Sequence, residues 1–387
     1  MRIYIYHPLE FHFHSGITLG VIHEYLHLAR LGHEIFLYGS YQDEAGFDEI
    51  RAYIGEEKIH LLVRKGPLEQ WRTRLKIAFL FSALRDRAPG KVFVTRHFNK
   101  AMDLKWLKPL LGSSCRALYE AHEDGFPHLL PTKRNEDVAG LKKKTATLLG
   151  LIDGLLLNNF SQEVILKQEF TSYPPLINLP NGVDLDHFSQ AAPPPWSKDG
   201  PFVVTYTGQF TAWKNVELLF AAVGQLDHRF TLRIAGGKGG SGGFAASQSH
   251  IREMEKKHAL TGRVDFRGFV QPRVLVEEVL NGSSVLALPM GDNMRARYLT
   301  SPMKLFEAMA TRVPIVAVDF PSVHLVTGTD SAFLARPDPA DFARAIQAAA
   351  LTPAPEERIQ RQNAIARQFT HTVRAARFHR WLTETLQ

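Results

Sequence analysis

The chain has 387 residues, 45% of them hydrophobic and 22% charged, with a formal net charge of +7. That length suits two domains better than one, and the single cysteine, Cys115, excludes an intrachain disulfide and a cysteine metal cluster, so a reducing cytosol is the expected setting. No apolar run approaches the roughly 20 residues of a spanning helix: Ile77–Leu84 is too short, and Leu148–Leu157 is interrupted by Asp153.

Met1–Pro8 is expected to be a short strand and not a signal peptide. Strand signals run through residues 1–190 at Arg2–Tyr6, Glu34–Tyr38, Ile59–Val63, Lys91–Thr95, Arg116–Glu120, Gly154–Leu157 and Leu176–Leu179. Between the first two, Leu19, Ile22, Leu26 and Ala29 recur at helical spacing, which predicts a helix over Ile17–Leu31 closed by Gly32. Strand and helix alternating in this way predict an α/β domain with a doubly wound parallel sheet. Within this half, Lys58–Arg116 is strongly basic, opposed only by Glu69, Asp86 and Asp103 and interleaved with Trp71, Phe79, Phe81, Trp106 and Leu107. Such a mixture suits an anionic membrane surface. Nucleic acid is the other partner such a patch meets, and solvated helix faces are the plain alternative.

Three consecutive prolines in Ala191–Gly200 fit neither a helix nor a central strand and predict a linker. The alternation then resumes, with strands expected at Phe202–Tyr206, Thr231–Ala235, Val264–Phe266, Val285–Leu288, Pro314–Val318 and Ala332–Leu334. Helices are expected at Val216–Leu226, Ala245–His258, Pro272–Leu280, Pro302–Ala310, Asp341–Ala350 and Pro355–Leu386. The expected organisation is an N-terminal Rossmann-like domain (1–190), a linker (191–200), a C-terminal Rossmann-like domain (201–365) and a last helix (366–387). Two such domains face a cleft, and ligands bind outside the carboxyl ends of the strands.

Thr300–Ala310 reads as a helix start aimed at an anion. Ser301 suits the N-cap and Pro302 the first helical position. The amides of Met303 and Lys304 then lie at the positive end of the helix dipole, and Lys304 adds a full charge. Glu307 is an acceptor suited to two neighbouring hydroxyls, such as a ribose diol. An ordinary capped surface helix shows the same pattern. Other strand ends carry chemistry. Gly208 permits close backbone approach, Lys214 opens the next helix, and Phe266–Val270 holds a glycine where a base can lie on backbone. The glycine-dense Ala235–Gly243 lacks the order of a P-loop. His12 and His14 have no carboxylate cluster nearby, so no metal is expected. His122, in Tyr119–Gly125, can meet a substrate hydroxyl or a developing charge, and Asn181-Gly182 reads as a turn with positive φ.

Taken in order, Gly32–Ile35, Leu179–Asp184, Tyr206–Gly208 with Lys214, Leu232–Gly236, Phe266 with Gly268, and Ser301–Ala310 followed by Val313–Ala317 resemble glycosyltransferase family 4, retaining nucleotide-sugar enzymes of GT-B architecture. The resemblance implies a metal-independent hexosyltransferase with no cofactor, the nucleotide diphosphate sugar being a co-substrate. It implies Glu307 on the ribose hydroxyls, and Lys214 with the backbone of Met303, Lys304 and Leu305 on the diphosphate. The backbone of Phe269 and Val270 would meet the base, His122 would be the catalytic residue beside the donor sugar, and Ser15–Gly16 would fill the glycine-loop position. The last helix, near Thr370–Leu386, would cross back onto the N-terminal domain.

Two positions depart from the family pattern. Leu299 stands where a glutamate usually contacts the donor sugar, and Gln209 where an arginine often contacts the diphosphate; Arg295 or Arg297 is a substitute cation. The acceptor implied is a hydroxyl of a glycan or glycolipid in cell-envelope polysaccharide or lipopolysaccharide assembly. The enzyme would be cytoplasmic and peripheral at the inner face of the membrane. A sugar-nucleotide epimerase of the same architecture and a degenerate nucleotide-binding subunit are the alternatives. A nucleic-acid protein fits less well, because the basic residues form no recognised module.

Overall fold

The structure, a computed structural model, describes residues 1–11, 16–112, 114–130, 137–237, 243–352 and 356–385. By contacts the chain divides into two units, Met1–Gly182 with His371–Gln387, and Val183–Thr370.

Unit one is built on seven strands: β1 (Arg2–Phe11), β2 (Glu34–Tyr41), β3 (Ile59–Lys65), β4 (Lys91–Thr95), β5 (Arg116–Ala121), β6 (Gly154–Leu157) and β7 (Leu176–Asn178). Their order is β3-β2-β1-β4-β5-β6-β7 and every pairing is parallel. Strands covered by helices on both faces read as continuous apolar runs, which is why β4, β5 and β6 stand out in the sequence. The core joins Ile3, Ile5, Ile35, Leu37, Val92, Val94, Leu118 and Leu156 of the sheet to Ile22 and Tyr25 of the helix Gly16–Arg30, and to Phe378, Trp381 and Leu382 near the C-terminus. β1 runs on past Pro8, with a register shift against β2 between Tyr4 and Pro8.

Unit two holds β8 (Phe202–Gln209), β9 (Phe230–Gly237), β10 (Val264–Gly268), β11 (Val285–Leu288), β12 (Ile315–Val318) and β13 (Phe333–Ala335). The order is β10-β9-β8-β11-β12-β13, again all parallel. The chain is therefore an α/β protein with two Rossmann-like doubly wound units.

Four local expectations change. The division falls before the proline run, which is fixed onto unit two: Ala191 O accepts from Arg312 N–H at 3.0 Å and Ala192 O from Gly282 N–H at 3.1 Å. Pro355–Leu386 is not one helix but two, Glu356–Ala366 and His371–Thr385, because Thr370 is drawn into a parallel bridge with Val183. Pro272–Leu280 is a 3-10 turn followed by a π-helical turn. Gly182 does not take a positive φ, and neither does Asn181. Glycine is required at 182 by proximity, since a Cβ there would lie 2.5 Å from His371 Nδ1.

Candidate functional site

In unit two, Gly208, the last but one residue of β8, has φ +149, a conformation side chains rarely adopt. A Cβ there would lie 3.0 Å from Tyr206 Oη and 3.5 Å from Lys214 Nζ, so the lysine lies close over the backbone. The neighbouring Gly236 of β9 is paired with Gly208, and a Cβ on it would sit 1.9 Å from Gly208 O. The two strand ends form a bare backbone edge beneath Lys214. Lys214 closes the turn Ala212–Lys214, whose Trp213 O accepts from Gly291 N–H at 2.8 Å. That turn packs against the π-helical turn Arg295–Leu299.

Arg295 and Arg297 lie on this second turn. Arg297 is held by Asp292, with Nη2 2.7 Å from Oδ2, and its guanidinium sits 4.7 Å above the Phe320 ring. Asn293 caps the turn by accepting from Ala296 N–H at 3.0 Å. Leu299, where the resembled family usually carries a glutamate, is fully buried. Phe269, just beyond β10, is 68% exposed, and Val270 follows it.

The helix Met303–Ala310 starts one residue later than the capping pattern predicts. Pro302, with ψ 106, is the residue before the helix and not its first, and no side chain caps the start. The first turn therefore presents the amides of Met303 and Lys304, with Leu305 N–H turned to Pro302 O at 2.9 Å. Lys304 Nζ pairs with Glu307 Oε2 at 2.7 Å, the carboxylate side chain being only 14% exposed. The far end of the helix is clamped. Gln362 Nε2 donates to Ala308 O, Thr311 O and Val313 O, and Asn363 Nδ2 to Met309 O and Thr311 O, all within 2.7–3.2 Å. Nothing in the sequence singled out this clamp, because amide side chains on a surface-like helix carry no pattern of their own.

In unit one, His122 follows β5. Its Nδ1 lies 3.2 Å from Asn158 Nδ2, and its Nε2 lies 3.2 Å from Glu120 Oε1 without hydrogen-bond geometry. Gln162 braces this corner from behind, with Nε2 donating to His122 O at 3.2 Å and Oε1 accepting from Asn158 N–H at 3.0 Å. Beneath it lies a buried cluster of four charges that the sequence reading did not find. Arg96 Nε reaches Glu120 Oε2 at 2.7 Å, and Arg374 Nη2 reaches Glu120 Oε1 at 2.9 Å. Both guanidiniums also bond Glu24. Arg374 Nε donates to Pro180 O at 3.0 Å. Burial opposes ionisation of Glu120, but Arg96, then His122 and Arg374, outweigh it and hold the carboxyl well below its ordinary value. The four residues are far apart in sequence, and only Glu120, two residues before His122, was near a flagged position. His7, within β1, has its ring 4.4 Å from that of His97, just beyond β4, and burial pushes His7 down to about 3. Gly16 begins the helix Gly16–Arg30; Ser15, His12 and His14 lie outside the described residues, as does Lys238–Gly242 of the glycine-dense segment.

Residues 201–350 match the family model described as glycosyl transferases group 1. No match is found among curated protein sequences. Among solved structures, the fold is similar to sucrose-phosphate synthase from Thermosynechococcus elongatus, at 17% identity and TM-score 0.73, covering 100% of this chain and 99% of that one. It is also similar to Anabaena HepE in complex with UDP (14% identity, TM-score 0.72, 99% and 100% covered). A third likeness is to the lipopolysaccharide outer core galactosyltransferase WaaB (17% identity, TM-score 0.67, 100% of both chains). The chain thus resembles the GT-B glycosyltransferases, by sequence over residues 201–350 and by fold over both units.

Proposed function

We propose that the protein is a retaining, metal-independent glycosyltransferase that moves a hexosyl group from a nucleotide diphosphate sugar to a hydroxyl of a glycan or glycolipid. The observation that carries this reading is the helix Met303–Ala310, which lies inside the region matched to group 1 glycosyltransferases and pairs Lys304 with Glu307 in its first turns. In this reading the diphosphate lies on the amides of Met303 and Lys304, with Lys304 and Lys214 supplying charge; Leu305 N–H is taken by Pro302 O and plays no part. Its arrival draws Lys304 toward phosphate and leaves Glu307 to accept from the ribose hydroxyls. Phe269 and Val270 present backbone to the base, and Ser301 and Pro302 fix the approach to the helix.

The bond from the anomeric carbon to the diphosphate oxygen breaks, and a bond to the acceptor oxygen forms on the same face. The acceptor proton passes to the departing diphosphate. Cations and helix amides stabilise the charge that develops there, the electrostatic role an oxyanion site performs. His122 takes the sugar-side role that the resemblance implies, braced by Gln162 and Asn158, and Ser15 and Gly16 the glycine-loop position. Acceptors at the inner face of a cytoplasmic membrane, as in polysaccharide or lipopolysaccharide assembly, suit the basic first half.

A thermal-shift panel of nucleoside diphosphates and their sugars tests the reading. A true ligand at about a hundred times its dissociation constant stabilises by roughly 2.7 kcal/mol. Glu307→Ala should remove the difference in affinity between ribo- and 2′,3′-dideoxy-nucleoside diphosphates, and a persisting difference would refute the ribose assignment. Products formed from donor alone would identify an epimerase; binding with no turnover on any donor would identify a nucleotide-binding subunit.

A further inference from the structure

We propose that the helices Leu68–Arg85 and Leu104–Leu111 of unit one form a face that docks in the plane of an anionic lipid bilayer. The first helix is apolar on two sides. Leu75, Phe79 and Ala83 are buried against the sheet, as a covering helix requires. Ile77, Phe81 and Leu84, on the opposite side at i, i+4 and i+7, are 62%, 55% and 38% exposed. A surface helix normally turns polar residues to water there. The second helix repeats the pattern one turn long: Trp106 is 72% and Leu110 65% exposed, while Leu104 and Leu111 are buried. The two helices are neighbours, joined by Lys76 Nζ to Asp103 Oδ2 at 2.8 Å, where Asp103 directly precedes the second helix.

The charge around these side chains selects the occupant. No acidic residue occurs from Gln70 to Arg85 or from Leu104 to Leu111. Arg85 lies 4.6 Å above the Phe81 ring, Lys105 5.2 Å above Trp106 and Arg74 5.8 Å above Trp71. These cations contact rings and leave their charge directed to solvent. Lys76 and Lys100 share one carboxylate, Asp103, and the charge of Arg72 acts on Lys100. Apolar and aromatic side chains ringed by cations match the boundary between acyl chains and anionic headgroups. Among the described residues no helix is long and apolar enough to cross a membrane, so the face lies on the bilayer and does not span it. The docking stands independently of the glycosyl-transfer reading.

The full chain is floated with vesicles of phosphatidylcholine, with and without phosphatidylglycerol. The expected result is binding only with phosphatidylglycerol. Arg74→Glu, Arg85→Glu and Lys105→Glu together should lower it at least tenfold, and so should Ile77→Ser with Phe81→Ser and Trp106→Ser, which leaves every charge in place. These positions are solvent-facing, and an unchanged unfolding midpoint and an unchanged far-UV circular dichroism spectrum confirm that both variants are folded. Equal binding to both vesicle types, no binding, or binding indifferent to either variant overturns the proposal. So does a homodimer in light scattering that the apolar variant dissociates, since a second copy of this chain would then be the occupant.

Discussion

The two units share one architecture and differ in what they place at the carboxyl ends of their strands. Unit two offers backbone: Gly208 and Gly236 lie bare under Lys214, and the helix Met303–Ala310 presents its first amides. Unit one offers side chains: Arg96, Glu120, His122 and Asn158 interlock over Glu24 and Arg374. A backbone site is fixed by the fold itself, needing only small residues and a cation beside it. A buried charge cluster depends on every member, because removing one leaves its partners desolvated and unpaired.

The sharpest way to break this comparison is Arg374→Met. It should destabilise unit one by about 3–5 kcal/mol, the usual cost of breaking a buried ion network, in denaturant unfolding followed by a probe within that unit. A loss comparable to that of an exposed pair would show that the cluster is wetter than its burial indicates. Gly208→Ala comes next. Forcing a Cβ into φ +149 beside Lys214 should cost about 1–3 kcal/mol and weaken nucleoside diphosphate binding, read by calorimetry; undiminished affinity would detach that edge from the ligand.

Acidification should then separate the units. Burial lowers His7 and His371 to about 3 and His33 to about 4, all in unit one. Their unfolded forms gain protons near pH 6.5 while the folded forms resist, so the stability they contribute is complete above about 6.5 and is lost as pH falls toward 4 for His33 and toward 3 for His7 and His371. In unit two, Arg229 lowers Asp227 to about 2, and bonds to Arg336 lower Asp341 to about 2, which matters only below about pH 4. Calorimetric scans at pH 7, 6 and 5 should show the unit-one transition falling first; transitions moving together would remove the distinction. The smallest effect is expected from Arg295→Ala with Arg297→Ala. Asp292 and Phe320 already hold Arg297, so nucleoside diphosphate affinity should fall only severalfold. Unchanged affinity would end their role as substitutes for the missing arginine at Gln209.

The same contrast explains what could be read before any coordinates. Parallel strands buried on both faces announce themselves as apolar runs, so Val92–Val94, Leu155–Leu157, Val285–Leu288 and Ile315–Val318 were plain. Gly208 could be picked out because a glycine at a strand end marks close backbone approach, and its φ of +149 is one that side chains rarely adopt. What escaped was long-range. Positions 24, 96, 120 and 374 meet only after folding, and none is unusual locally. The break at Thr370 is imposed by Val183, far earlier in the chain; helical periodicity runs straight through it, and only the family resemblance put a last helix near Thr370–Leu386. Gly182 looked like a turn residue because a glycine leaves the same mark whether φ or a neighbouring ring demands it. Pro302 was placed one position too deep, since proline serves before a helix as readily as at its start.

The helix His371–Thr385 belongs to unit one although the whole of unit two precedes it. It supplies Arg374 to the charge cluster, and Trp381 lies so close over β6 that a Cβ on Gly154 would come within 2.4 Å of the indole. On a ribosome that delivers the chain from its amino end, the first 182 residues therefore lack Arg374 as the partner of Glu24 and Glu120 until the intervening unit has been translated. Domains usually mature in the order in which they emerge; here the half begun first is completed last, and a chain truncated before residue 371 would hold all of the second unit and an incomplete first.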